Sequence, residues 1–233
     1  MPVKRVFARL TGILLPQQCV LCNAASPAGA ICADCQVDLP VFDTPQCPQC
    51  ALPTPQGTLC GQCIQAPPAF DHSIAAWRYD WPVDRLIPAF KYGGQLHLTA
   101  PLAEALWHQA SSAPRPDCLL PMPLHPTRQQ ERGFNQSREL AKRLRAQSGI
   151  ALLPGATVAR TRLTPPQASL PHDERHRAIR GAFRVDGAVG GKHIALVDDV
   201  MTTGASLNEL SKALKAAGAA RVDCWVVARA TRD

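Results

Sequence analysis

From residue 72 onward, short apolar runs alternate with stretches whose apolar residues recur every three or four positions, the pattern of strands alternating with helices. His72 to Arg78 reads as a strand, Val83 to Phe90 as a short helix, and Leu98 to Gln109 as a helix with Leu102, Leu106 and Trp107 on one side. Cys118 to Met122 is a short apolar strand. A basic loop leads from it to a helix over about Asn135 to Gln147, stopped by Gly149. A long polar stretch, Arg160 to Arg180, is followed by the short run Ala182 to Val185 and the strand His193 to Asp198. Leu207, Leu210 and Leu214 mark a helix over about Ser206 to Ala217, and Val222 to Ala228 closes as a strand. The alternation predicts an α/β domain on a parallel sheet with helices on both faces. Such sheets bind ligands beyond the carboxyl ends of their strands, so the site is expected just after Met122 and just after Val197.

The first 66 residues follow neither period. Pro67-Pro68 reads as a linker, which divides the chain into an N-terminal module over 1–66 and a larger domain over 69–233. Eight of the ten cysteines fall in the module as four Cys-x-x-Cys pairs, and the second two pairs repeat the first two 28 positions later. Two thiolates three apart on a tight turn can face one ion, and two such turns complete a tetrahedral shell for zinc. Cys19, Cys22, Cys32 and Cys35 make one candidate set, and Cys47, Cys50, Cys60 and Cys63 the other. An interleaved pairing of Cys19/Cys22 with Cys47/Cys50 stays open. Both ions would be structural, because four protein thiolates leave no position for a reacting group.

Disulfides in place of zinc would require an oxidising compartment. A signal-peptide cut at the small residues Ala28-Gly29-Ala30 would remove Cys19 and Cys22 from the repeat, so the chain is read as cytoplasmic. Redox pairs of the thioredoxin type belong at strand-to-helix junctions, whereas these cysteines sit among Pro, Gln and Gly. The run Leu10 to Leu15 is far short of the roughly 20 residues of a membrane span. Residues 4 to 15 are expected to form an amphipathic helix packed on the body. Cys118 and Cys224 lie in apolar runs and read as buried thiols.

Charge adds a location. Of a formal net charge of +7, the stretch from 117 to 190 supplies most, with twelve Lys/Arg against six Asp/Glu, which marks a surface that meets an anion or else a solvated basic face. The segment His193 to Leu207 supplies the chemistry. An apolar strand delivers Asp198 and Asp199 at its end, and a loop of hydroxyls and glycine enters a helix through a capping box, Ser206 with Glu209. Backbone N–H groups and the hydroxyls of Thr202, Thr203 and Ser206 can enclose a phosphate there, with Gly204 letting the backbone approach. The two carboxylates would repel that phosphate if beside it. One step away, they can accept hydrogen bonds from sugar hydroxyls or face a magnesium ion. No Walker-type G-x-x-x-x-G-K-[ST] loop occurs.

This is the binding logic of a ribose phosphate, and Ile194 to Ser206 resembles the 13-residue phosphoribosyl pyrophosphate (PRPP) motif of type I phosphoribosyltransferases. Pro121 to Gln136, with its Pro-Met-Pro-Leu-His-Pro-Thr-Arg-Gln-Gln-Glu-Arg-Gly-Phe-Asn-Gln run, resembles the signature of the ComF family. Phe90-Lys-Tyr-Gly-Gly94 and the stretch with Gln167 and Arg175 agree with it. The resemblance covers nearly the whole chain. It implies a parallel-sheet type I phosphoribosyltransferase-like domain preceded by a small double zinc-ribbon module, with a role in competence and the uptake or processing of transforming DNA. PRPP would be bound, with Mg2+, by Asp198, Asp199, Val200, Met201, Thr202, Thr203, Gly204, Ala205 and Ser206. By the same resemblance His125, Arg128 and Arg132 form a pyrophosphate loop. The stretch with Arg160, Arg162, His172, Arg175 and Arg177 forms a mobile flap, and Asp198, Asp199, Arg132 and Arg175 are the residues expected to carry catalysis.

In such enzymes a nucleophile displaces pyrophosphate from C1 of PRPP, and the protein supplies alignment and positive charge rather than a nucleophile of its own. Two other classes stay open: a sensor that binds PRPP or a nucleotide without turnover, and an adaptor whose basic surface meets single-stranded DNA or a helicase of the uptake machinery. Nothing in the sequence fixes the acceptor or the oligomeric state. Arg138, Lys142, Arg143 and Arg145 read as the solvated face of a helix, and His97 and His108 carry no assigned role.

Overall fold

The computed structural model describes residues 18–27, 29–163 and 179–231. The helix expected over 4–15 and the residues Gln167, His172, Arg175 and Arg177 of the expected flap stretch lie outside the described residues.

Among the described residues the strands are β1 (His72–Arg78), β2 (Cys118–Pro121), β3 (Ala151–Leu152), β4 (Val158–Arg160), β5 (Phe183–Val185), β6 (His193–Met201) and β7 (Arg221–Arg229). Five of them form one parallel sheet in the order β1-β7-β6-β2-β3, and β4 pairs with β5 antiparallel. The helices are α1 (Ala33–Val37), α2 (Gly61–Gln65), α3 (Val83–Tyr92), α4 (Thr99–Ala110), α5 (Pro126–Arg132), α6 (Gln136–Ser148) and α7 (Ala205–Ala216). One face of the sheet is covered by α3, α4 and α6, whose Leu86, Phe90, Leu102, Leu106, Leu140 and Leu144 pack with Leu119, Ala195, Val197 and Trp225. The other face is covered by α7 and the β4–β5 pair, where Leu207, Leu210, Leu214, Val158 and Phe183 pack with Leu120, Ile194, Leu196 and Val226. Because β6 is covered on both faces, Ile194 to Val197 reads as a continuous apolar run rather than an alternating one. Each fully buried leucine in these layers contributes roughly 1.5–3 kcal/mol by leaving water.

Register brings the two expected site loops together. Pro121 of β2 lies opposite Val197 of β6, and Asp198 lies opposite Val226 of β7, so the chain leaves β2 and β6 side by side at one edge of the sheet.

Three local expectations change. Strand β6 runs on through Asp198 to Met201, because β7 continues to pair with it as far as Arg229. The basic loop after Met122 contains α5: His125 Nδ1 accepts the Thr127 N–H at 3.3 Å, Pro126 opens the helix, and Gly133 closes it at φ 79°. The expected capping box is displaced. Gly204 at φ 74° takes the N-cap of α7, Ser206 becomes its second residue, and Glu209 Oε1 accepts the Gly181 N–H at 2.7 Å, tying the end of the flap segment to α7. On α6 the solvated face is as expected, with Arg138, Lys142, Arg143 and Arg145 all exposed. Cys118 and Cys224 are buried.

The duplication in the N-terminal module is structural as well as sequential. In both copies a cysteine N–H donates to the first sulfur of the set at 3.4 Å, Cys32 to Cys19 and Cys60 to Cys47. The first copy packs Ile31 and Ala30 into the cluster formed with α4 and β1. The second packs Ala51 beside Phe70, Met201 and Ala205. The expected Pro67-Pro68 linker lies against the second copy, with the Pro68 and Phe70 carbonyls accepting from Gln49 Nε2 at 3.3 and 3.2 Å.

Candidate phosphate-binding site and metal centres

The end of β6 presents a carboxylate pair in two different settings. Asp199 is buried; its Oδ1 accepts the Val200 N–H at 2.7 Å and its Oδ2 lies 2.9 Å from Lys91 Nζ. Asp198 Oδ1 accepts from Ser137 Oγ at 2.8 Å and from the Asp199 N–H at 2.9 Å. Burial, and then the neighbouring Asp199 charge, push the Asp198 carboxyl up to about 7, against the pull of Lys91 and Ser137. Burial works against the Lys91 ammonium, but the Asp199 and Asp198 charges outweigh it and hold its pKa above the ordinary lysine value. Lys91 therefore separates the two carboxylates: Asp199 is in an internal ion pair, and among the described residues no hydrogen bond engages Asp198 Oδ2.

Beyond the pair the backbone turns at Gly204 into α7. A small concavity of about 40 Å³ is walled there by Asp198, residues 200–202 and residues 204–207. Thr203 Oγ1 accepts the Ala205 N–H at 3.3 Å. The first N–H groups of α7 have no partners within the helix, which makes this end a site for an anion.

The basic residues divide. Arg132, at the end of α5, sets its guanidinium 4.9 Å from the centre of the Tyr92 ring and donates to Gln136 Oε1, so it is held against α3. Arg128 pairs with Glu131 at 3.7 Å, and His125 is used as the cap of α5. Arg160 lies over the Phe183 ring at 5.7 Å; burial lowers its pKa, while the Asp198 charge partly restores it. Arg162 Nη1 donates to the Arg180 carbonyl at 2.8 Å, joining the two ends of the stretch expected to form a flap. A larger cleft of about 410 Å³ opens beside the ends of β2 and β3, lined by Pro121, Gln129, Asn135, Arg138 and Arg160 among others. Lys91 is the charged group at the acid pair that sequence reasoning left without a role of its own.

The cysteines form two sets, Cys19, Cys22, Cys32, Cys35 and Cys47, Cys50, Cys60, Cys63, each with its sulfurs within 4.8 Å of one another. The interleaved pairing is thereby excluded. Tetrahedral zinc with bonds of about 2.3 Å needs sulfurs about 3.8 Å apart. The Cys22–Cys32 and Cys50–Cys60 separations of 3.7 and 3.5 Å fit it. Burial pushes the Cys19 thiol up, but N–H donation from Cys32, Cys22 and Leu21 outweighs it and holds the group at about 6. Cys47 is held at about 7 by Cys60, Cys50 and Gln49 in the same way. The donor sets suit structural zinc, and the second is the more enclosed. No described helix is long and apolar enough to cross a membrane.

Residues 10–64 match the double zinc ribbon domain and residues 134–233 the phosphoribosyl transferase domain. Competence protein F of Haemophilus influenzae is 32% identical over 169 residues, covering 69% of this chain and 73% of that protein. The DNA utilization protein YhgH of Salmonella typhi is 34% identical over 157 residues, covering 65% and 69%. That of Escherichia coli K12 is 33% identical over 158 residues, covering 64% and 67%. Among solved structures, the Bacillus subtilis glutamine PRPP amidotransferase complexed with ADP and GMP aligns at a TM-score of 0.37 and 22% identity, over 55% of this chain and 25% of that one. The purine phosphoribosyltransferase of Pyrococcus horikoshii aligns at 0.33 and 20%, over 67% and 77%. A parallel sheet with the phosphoribosyl transferase domain behind two cysteine clusters defines a zinc-ribbon protein of the phosphoribosyltransferase class. Within that class, the chain belongs to the ComF family, that of competence protein F and YhgH.

Proposed function

We propose that this chain binds PRPP at residues 198–206 and transfers its phosphoribosyl group to an acceptor, releasing pyrophosphate, in the cytoplasmic handling of incoming DNA. The observation that supports this most is the partly buried Asp198–Asp199 pair at the end of β6, followed directly by the Gly204 turn into α7. That arrangement offers carboxylate acceptors for sugar hydroxyls next to an N-terminal cradle for a phosphate. The competence and DNA utilization names of the relatives support the setting. The division into a module through residue 66 and a domain from residue 69, with one structural zinc in each cysteine set, belongs to the same reading.

The reaction forms a bond from the acceptor's nucleophilic atom to C1 of PRPP as the bond from C1 to the pyrophosphate oxygen breaks, and the acceptor gives up its proton. The protein's task is alignment and charge. N–H groups and hydroxyls of residues 202–206 hold the 5-phosphate, and Asp198 Oδ2 accepts from the ribose hydroxyls. Arg128 and Arg160, with Arg175 from the flap, offset the charge of the departing pyrophosphate. Arg132 contributes through its place against Tyr92. Magnesium bound with PRPP would neutralise part of that charge, with Asp198 the available carboxylate, since the oxygens of Asp199 are taken by Lys91 and the Val200 N–H.

The test is whether PRPP raises thermal stability in a magnesium-dependent way, and whether pyrophosphate is released across a panel of nucleobases, nucleosides and DNA fragments. Stabilisation with release for at least one acceptor supports transfer. Stabilisation without release from any acceptor moves the assignment to PRPP sensing. Salt-dependent affinity for single-stranded DNA with no response to PRPP moves it to the adaptor reading.

A further inference from the structure

Arg229, the last residue of β7, is buried at 4% exposure. Its Nε donates to the Cys50 carbonyl at 2.7 Å, and its Nη1 donates to the carbonyls of Met201 at 3.0 Å, Ala230 at 2.6 Å and Thr202. Met201 and Thr202 belong to the phosphate loop, and Cys50 to the second cysteine set. One side chain thus fastens the loop to that set. Its described hydrogen-bond partners are all neutral carbonyls, and no described carboxylate pairs with it. A buried guanidinium needs a counter-charge, and four thiolates around one zinc dication carry a net charge of minus two.

We propose that Arg229 is a positioning residue that uses the second zinc-tetrathiolate as its counter-charge to hold Met201 and Thr202 in the conformation that binds phosphate. The second zinc, and not the first, therefore sets the order of the phosphate loop. The surroundings agree. Ser73 Oγ donates to the Gln49 carbonyl at 2.6 Å, the Ser73 N–H to the Pro48 carbonyl at 3.1 Å, and Ala51 packs in the cluster that contains Phe70, Met201 and Ala205. Among the described residues the first set has no such connection. It packs on the α4 and β1 side through Ala30 and Ile31, with Cys22 exposed.

The functional consequence rests on the PRPP reading of the loop, so the primary readout is hydrogen exchange of the amides of residues 201–206, which needs no ligand. The comparison uses zinc-loaded full-length protein and three variants: Arg229→Met, Cys60→Ala/Cys63→Ala to empty the second set, and Cys32→Ala/Cys35→Ala to empty the first. Zinc content is measured on each. Arg229→Met is expected to keep both metals while exchange in 201–206 rises about tenfold, the lower end of what losing a hydrogen bond to a charged group costs. Emptying the second set should give the same rise in the parent and no further rise in the Arg229→Met background. Emptying the first should leave 201–206 unchanged.

Arg229→Lys keeps the charge but lacks the fork, and is expected to fall between parent and Arg229→Met. If Arg229→Met does not fold, graded chelation of the parent gives the same comparison: loop exchange should follow loss of the more enclosed second zinc. Equal loosening on loss of either zinc, or loop exchange unaffected by loss of the second, overturns the proposal. The expected exchange pattern in a protein that does not bind PRPP would leave the clamp standing and remove the PRPP reading alone.

Discussion

Lys91→Met removes the cation from the most enclosed ion pair at the site while keeping a chain of similar length. At 2.9 Å the attraction between Lys91 and Asp199 is about 6 kcal/mol for an effective dielectric of about 20. Most of that is offset in the intact protein by the cost of taking both charges out of water, so the pair itself adds little net stability. Breaking it is another matter. The Asp199 side chain, only 3% exposed, is left charged and unpaired, a situation that costs about 3–5 kcal/mol. The Lys91 side chain is 21% exposed, which admits some water and places the loss near about 3 kcal/mol. For a chain of this size that corresponds to a fall of roughly 6–12 °C in the melting temperature. The assay is thermal unfolding of zinc-loaded protein near neutral pH. Lys91→Met combined with Asp199→Asn should recover most of the loss, because the uncompensated charge is gone. A single variant within about 0.5 kcal/mol of the parent, or a double variant as unstable as the single, refutes the reasoning.

Metal analysis of protein purified without added zinc should return about two ions per chain. A ratio near one would mean that a single set closes. Asp198 has its folded-state pKa raised to about 7 from an ordinary 3.8, so the folded state keeps a proton that the unfolded chain releases. The stability from that proton is full below about pH 4 and lost as pH rises to about 7. The melting temperature of Asp198→Asn relative to the parent should therefore climb between about pH 5 and 7 and then level off; parallel curves would contradict the burial of that carboxyl. Arg132→Ala should weaken PRPP affinity through loss of the Tyr92 and Gln136 contacts that fix the end of α5. Arg175→Ala should leave affinity nearly unchanged and slow single-turnover pyrophosphate release, and equal affinity losses in both variants would remove the separate role of the flap.

How much of this was readable beforehand follows from which residues carry a pattern. Strands β1, β6 and β7 and helices α4, α6 and α7 announce themselves because they bury an apolar face or run, and the duplicated cysteines because their spacing is set by metal geometry. Helix α5 has no buried residue, so hydrophobic periodicity is silent, and only its His125-Pro126 start and Gly133 stop were available as signals. The capping box at Ser206 and Glu209 fitted the local rule. It failed because Gly204 turns the chain earlier and the Glu209 carboxylate serves a residue 28 positions away in sequence. Lys91 and Arg229 each stand near the end of an element whose other residues are mostly apolar. What gives each its role is a partner far along the chain: Asp199 for one, Cys50 and Met201 for the other. Charge patterning within a window could not find them.

Calorimetric titration of PRPP into the zinc-loaded protein decides whether residues 198–206 bind PRPP. Asp198→Asn is the control of choice, because it keeps the shape of the pair and leaves Lys91 with Asp199. The expected result is saturable binding of one PRPP per chain that depends on magnesium, is competed by ribose 5-phosphate, and is lost or severely weakened in Asp198→Asn, while the unliganded variant melts no lower than the parent at neutral pH. Absence of binding in the parent, or undiminished binding in Asp198→Asn, would contradict it.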